Sequence, residues 1–105
     1  MAETLEFSVV VPMHNESGNA ASLVGEIAAA LEGRSYEMIM VDDASTDDTR
    51  AVLAALKAEF PALRVLSHRK NAGQSRAIRS GVRAARGRIV GTLDGDGQND
   101  PADLP

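Results

Sequence analysis

Short apolar runs alternate along the chain with longer amphipathic stretches, the pattern of β-α-β units built around a parallel sheet. Phe7 to Val11, Met38 to Val41, Arg64 to Leu66 and Ile89 to Leu93 predict four strands. Between them Leu23, Ile27 and Leu31 recur every four residues. Val52, Leu53, Leu56 and Phe60 form a second stripe, and Ile78, Val82 and Ala85 a third. Three helices are therefore expected, each laying one apolar face on the sheet. Ser45 with Asp48 three residues later matches a capping box for the second helix, and Gly33 and Gly87 fall where the first and third should stop.

With right-handed crossovers, this succession gives a three-layer, Rossmann-like α/β fold with the doubly wound strand order 3-2-1-4. In such sheets ligands bind beyond the carboxyl ends of the strands, where the order reverses, here between strands 1 and 4. Pro12-Met-His14-Asn-Glu16 leaves strand 1, Asp42-Asp43 closes strand 2, and Asp94-Gly-Asp96-Gly-Gln98 follows strand 4. Segments far apart in sequence are thus expected to meet at one crevice.

The composition narrows the classes. One hundred and five residues, 44% hydrophobic and 25% charged, suit one globular domain with a modest core. Three aromatics leave that core to Ala, Val, Leu and Ile. A formal charge of −4 argues against nonspecific nucleic-acid binding. The absence of cysteine excludes disulfides, thiolate metal sites and cysteine nucleophiles. No leader-like start and no run near the ~18 apolar residues of a membrane span are visible, so the expected location is cytoplasmic.

The candidate chemistry is acidic. Asp94 and Asp96, two residues apart in a glycine-rich loop, can face one hard cation that also holds a diphosphate, with Gln98 adding an amide oxygen. A solvated acidic turn has the same composition. Asp42-Asp43-Ala-Ser45-Thr-Asp47 offers a carboxylate for a base N–H, or merely the residues that helix N-termini use. An acidic pair also suggests a phosphoacceptor receiver domain, but there it follows the first strand, and this one follows the second. Pro12 fixes the backbone and is expected to end the ladder of strand 1. His14 and Glu16 can contact a base or ribose, or simply occupy the loop and complement a helix dipole. Arg69-Lys70-Asn71-Ala-Gly73 can approach a diphosphate or serve as an ordinary surface loop. Arg76, Arg79, Arg83 and Arg86 share one side of the third helix, suited to solvent or to anionic lipid headgroups.

Four ordered motifs, Ser8-Val-Val-Val-Pro-Met-His-Asn-Glu16, Val41-Asp-Asp-Ala-Ser-Thr-Asp47, Asn71-Ala-Gly73 and Asp94-Gly-Asp-Gly-Gln98 with Pro101, make the whole chain resemble the amino-terminal half of a family 2 glycosyltransferase of GT-A fold, close to dolichyl-phosphate mannose synthase-like enzymes. The resemblance implies that residues 1–105 are the nucleotide-sugar-binding portion of a longer domain. Pro12, His14, Glu16, Asp42, Asp43, Asn71 and Asp94 would then contact the nucleotide. Asp94 and Asp96, the catalytic pair, would hold Mg²⁺ or Mn²⁺ together with Gln98. It further implies an inverting sugar transfer from a nucleotide-diphosphate sugar to a polyprenyl phosphate or another glycan or lipid acceptor, with peripheral association at the cytoplasmic membrane face. The alternative is a non-catalytic nucleotide-sugar-binding or regulatory module. A sugar-phosphate nucleotidyltransferase would need a glycine-rich, Arg-containing loop after strand 1, which Pro12 to Glu16 does not supply. His14 stands where relatives frequently carry an aromatic residue. The sheet edge is a candidate surface for pairing with a second copy.

Overall fold

The computed structural model describes residues 5–93 as strictly alternating strands and helices. In chain order these are β1 (Leu5–Met13), α1 (Ser17–Ala30), β2 (Tyr36–Asp43), α2 (Thr49–Glu59), β3 (Leu63–His68), α3 (Gln74–Ala84) and β4 (Gly87–Thr92). The four strands form one parallel sheet in the order β3-β2-β1-β4, as expected. The central pair, β1 and β2, is buried over nearly its whole length, which is why its sequence reads as continuous apolar runs.

Alternation sorts these side chains between two layers. Phe7, Val9, Val11, Met38 and Met40 pack with Leu23, Val24, Ile27 and Leu31 of α1 and its end, and with Leu53 and Leu56 of α2. On the other face Val10, Ile39 and Val41 meet Ala77 of α3 in a much thinner layer.

That thinness corrects the expected face of α3. Ala77 and Gly81 are its buried residues, whereas Val82 is 45% exposed. A Cβ on Gly81 would lie 2.3 Å from Val10 Cγ1, so α3 sits too close to the sheet for a large side chain there. Arg76, Arg79 and Arg83 are exposed beside it.

Two further expectations change. β1 continues through Pro12 to Met13, with Pro12 beside Val41 in register. Alternate residues of a parallel strand bond to alternate neighbours. Val10 bonds toward β4, accepting from Leu93 N at 3.1 Å, so the missing Pro12 N–H also points to that side, past the last β4 pairing of Thr92 with Val10. That N–H is the one a continuing ladder would direct to the Leu93 carbonyl, so among the described residues pairing toward β4 ends with Val10 while pairing toward β2 runs on to Met13. Gly87, for its part, opens β4 rather than ending α3, whose cap residue is the extended Ala85. Its Cβ would fall 2.5 Å from Phe7 C and Ser8 N, so the glycine is required by close strand approach. Gly33, with φ of 83°, does serve the turn that follows α1.

β4 is the exposed edge, with Ile89 56% exposed. No helix among the described residues is long and apolar enough to cross a membrane.

Candidate functional site

At the carboxyl ends of the strands, the loop after β1 is fastened to the loop after β2. Asn15 adopts φ of 55°, a left-handed conformation that asparagine tolerates better than most residues. Its Oδ1 accepts from Thr46 N at 2.8 Å and Asp47 N at 3.3 Å, while its own N–H donates to Ser45 Oγ at 3.0 Å. Glu16 N donates to Thr49 Oγ1 at 2.9 Å and Ser17 N to Asp47 Oδ2 at 3.4 Å.

This fastening displaces the expected capping box. Ser45 Oγ accepts from Asn15 and donates to Asp42 Oδ1, and Asp48, the N-cap of α2, makes no side-chain cap bond. Asp47 does that work: Oδ1 accepts from Thr49 N at 2.8 Å and from Thr49 Oγ1 at 2.5 Å. Those bonds, the hydroxyl's foremost, lower the Asp47 pKa below the usual carboxylate value.

Asp42 and Asp43 are adjacent in a strand and therefore face opposite layers. Asp42 turns to the α2 side, where Arg50 Nε stands 3.3 Å from Oδ2. Asp43 turns to the α3 side and organises the loop after β3. Its Oδ1 accepts from His68 Nδ1 at 2.8 Å and Ala72 N at 2.9 Å, and Oδ2 from Gly73 N at 2.8 Å. Burial pushes the Asp43 pKa up, but the Ala72 N–H, the His68 ring and the Gly73 N–H outweigh it and hold the carboxyl below its usual range. The group is ionised at neutral pH. In the Arg69–Gly73 loop, expected either to approach a diphosphate or to be an ordinary surface loop, the Ala72 and Gly73 amides are committed to this carboxylate.

His14 completes the convergence. Its Nδ1 donates to the Asp43 carbonyl at 2.8 Å, and Asn71 Nδ2 lies 3.5 Å from its Nε2. The loops after β1, β2 and β3 thus meet around Asp43, with exposed faces of His14 and Asn71 toward solvent. Glu16 stands at the N-cap of α1, its Oε2 accepting from Asn19 Nδ2 at 2.9 Å. Pro12 is buried beneath. Arg69 leans instead toward an open groove of about 600 Å³ that it shares with Ala44, Ser45, Asp47 and Arg50.

Asp94, Asp96 and Gln98 lie outside the described residues. β4 runs parallel to β1 up to Leu93. Among the described residues no three His, Asp or Glu side chains gather as a metal cage.

Sequence reasoning missed Asn15 and His68. Asparagine in the loop just past a strand, here two residues after Met13, is a readable signal for a left-handed residue. His68 carried no such signal, because its partners are 12 and 25 residues away.

Residues 8–105 match the model of a family described as glycosyl transferase family 2. The chain is 44% identical to a dodecaprenyl-phosphate galacturonate synthase of Rhizobium johnstonii, over 98% of this chain and 31% of that protein. It is 39% identical to an undecaprenyl-phosphate 4-deoxy-4-formamido-L-arabinose transferase of Sodalis glossinidius, over 93% of this chain and 31% of that protein. The chain thus spans under a third of the length of these curated relatives. Among solved structures, the mannosyltransferase PcManGT of Pyrobaculum calidifontis, in complex with GDP-Man and Mn²⁺, superposes with a TM-score of 0.80 at 26% identity, covering 90% of this chain and 28% of that one. TarS of S. aureus in complex with UDP gives 0.78 at 26% identity, covering 88% and 28%.

Proposed function

Since the chain belongs to glycosyl transferase family 2, with the GT-A-type α/β fold of its structural neighbours, we propose that it is the donor-binding portion of an inverting glycosyltransferase that passes a sugar from a nucleotide-diphosphate sugar to a polyprenyl phosphate at the cytoplasmic membrane face. The observation that supports this most is the meeting of three loops around an ionised Asp43 at the mouth of the sheet, beside the β1–β4 reversal.

In this reading Asp43, His14 and Asn71 orient the nucleotide, and Glu16 borders the ribose. Asp42, tied to Ser45 and Arg50, acts through the shape of the loop. Two carboxylates and an amide oxygen form a hard donor set, so Asp94, Asp96 and Gln98 fit Mg²⁺ or Mn²⁺ chemically. The chemistry supplied by such a cation is neutralisation of charge on the departing nucleoside diphosphate. The names of the relatives support a polyprenyl-phosphate acceptor.

Calorimetry with UDP and GDP sugars, with and without Mn²⁺, tests donor binding, and a radiolabelled-sugar assay with undecaprenyl phosphate tests transfer. Asp96→Asn is expected to weaken Mn²⁺-dependent donor binding by about a hundredfold, roughly 3 kcal/mol, with little change in thermal stability. Undiminished donor affinity in that variant would refute the metal assignment. Donor binding by the natural protein without transfer to any lipid acceptor would favour a binding module instead.

A further inference from the structure

His68 ends β3 directly beside Asp43, the two being register partners, and is held at both ring nitrogens. Nδ1 lies 2.8 Å from Asp43 Oδ1 and Nε2 lies 2.8 Å from Ser80 Oγ on α3. An ionised carboxylate only accepts, so the neutral ring carries its proton on Nδ1, and Nε2 accepts from the Ser80 hydroxyl. The resulting chain Ser80–His68–Asp43 spans the ends of two strands and a helix.

The same order of groups occurs in hydrolytic triads, but a nucleophilic Ser80 is excluded by its surroundings. It lies within α3, where the N–H groups that would stabilise an oxyanion close the helix ladder. The direction of influence runs the other way, toward Asp43.

The carboxylate offers about four lone-pair directions. Among the described residues, His68 and Ala72 occupy the two on Oδ1 and Gly73 takes one on Oδ2, which leaves a single acceptor position for a ligand. The orientation of that position depends on both Oδ1 bonds. The Ala72 amide belongs to an exposed loop, whereas the His68 ring is anchored in β3 and braced by α3.

We propose that His68, braced by Ser80, is a positioning residue that aims the free acceptor of Asp43 at the nucleotide of the donor. This rests on the reading that Asp43 contacts the nucleotide. Ser80 contributes only through the ring, so its effect disappears once the ring is gone.

The test measures Kd for UDP and GDP with Mn²⁺, together with donor KM and kcat, in the full-length protein. His68→Leu is expected to raise the Kd of the preferred nucleotide and donor KM about tenfold while kcat stays within about twofold, the sign of lost uniform binding. His68→Asn, which keeps an N–H near the Nδ1 position, restores affinity to within about threefold of the parent. Ser80→Ala alone costs about threefold and adds nothing to His68→Leu. Unchanged Kd and KM in His68→Leu would overturn the proposal while Asp43→Asn still weakens binding; if Asp43→Asn also binds normally, the underlying nucleotide reading falls with it. Nitrogen NMR of the unaltered protein provides a readout independent of any variant's folding: a proton on His68 Nδ1 is expected, and a neutral ring protonated only at Nε2 overturns the proposal.

Discussion

Glu37 and Asp43 stand at opposite ends of β2, 2% and 3% exposed, yet the partners that surround them differ in kind. Glu37 receives Ser8 Oγ at 2.6 Å, Arg86 N at 2.6 Å, Arg64 Nη1 at 2.8 Å and Arg86 Nη2 at 3.2 Å. Ser8 Oγ in turn accepts from Gly87 N at 2.7 Å, and Arg64 also donates to the Ala84 carbonyl at 2.9 Å. One carboxylate therefore ties β1, β2, β3, β4 and the end of α3 together, using two full positive charges. Asp43 is held by an imidazole and two backbone amides, in loops whose neighbours are exposed. The first end is closed by charge and has no acceptor to spare. Among the described residues the second keeps an acceptor unfilled, and its geometry is fixed by groups that carry little charge of their own.

The contrast is broken most severely at Glu37. Burial favours the neutral acid there, but the bonds from Ser8, Arg86 and Arg64 outweigh it and bring the pKa down to about 2. Glu37→Gln leaves two guanidinium groups beside an uncharged amide, so urea unfolding is expected to show a loss of about 3 kcal/mol with nucleotide affinity unchanged. The pH dependence sharpens this. An unfolded glutamate titrates near ~4.3. The folded value lies below it, so the stabilisation is complete above that pH and is lost as pH falls through about 2. The Glu37→Gln variant should lack this component of the acid slope. An identical slope in both proteins would contradict the role given to Glu37.

Gly87 probes the same end sterically. A methyl group there meets Phe7 C and Ser8 N at 2.5 Å, both backbone atoms of a central strand, and neither can move without shifting β1. Gly87→Ala is expected to cost about 1–3 kcal/mol in chemical denaturation. The comparison predicts that nucleotide affinity survives in the fraction that remains folded. Affinity falling in step with stability would show that the two ends are not independent.

How much of this was legible depended on where the signal lay. The strand order was readable because β1 and β2 are apolar on both faces and the connections are long enough for helices, which leaves few topologies. The face of α3 was not, because a helix packed through Ala77 and Gly81 carries no hydrophobic stripe where it touches the sheet, while Ile78 and Val82 imitate one nearby. Ser8 and Glu37 were hidden for a related reason. Each interrupts or borders an apolar run, and their pairing across 29 residues becomes visible only once the strands are in register. At the mouth, Asp43, His14 and Asn71 were legible as candidates because glycine, proline and acidic residues punctuate strand ends there. Which of the Asp42 and Asp43 carboxylates reaches the loop after β3 was decided by strand alternation, once the extent of β2 was known. The Ser45–Asp48 spacing misled, since a motif read locally cannot show that Asn15, 30 residues earlier, engages the same hydroxyl.

The smallest expected effect concerns backbone strain, which also divides the two ends. Among the described residues, the non-glycine residues with positive φ are Asn15 and Ala44, both at the mouth, whereas the left-handed turn after α1 at the other end uses Gly33. Asparagine relieves its conformation with side-chain bonds to the facing loop. Ala44, at φ of 57°, has only a methyl group, and a Cβ in this region costs about 1 kcal/mol or slightly more. Replacing it with glycine removes that cost but adds freedom to the unfolded chain, which offsets roughly 0.4–1 kcal/mol. The net expectation for Ala44→Gly is a gain of a few tenths of a kcal/mol, read as a small rise in the denaturation midpoint at constant m. If the strained turn exists to hold Ser45 and Asp42 in place for the donor, the same substitution lowers nucleotide affinity while raising stability, a combination that neither Glu37→Gln nor Gly87→Ala should produce. A loss of stability would instead mean that the methyl group packs usefully in the groove it borders, and the division of strain between the two ends would no longer hold.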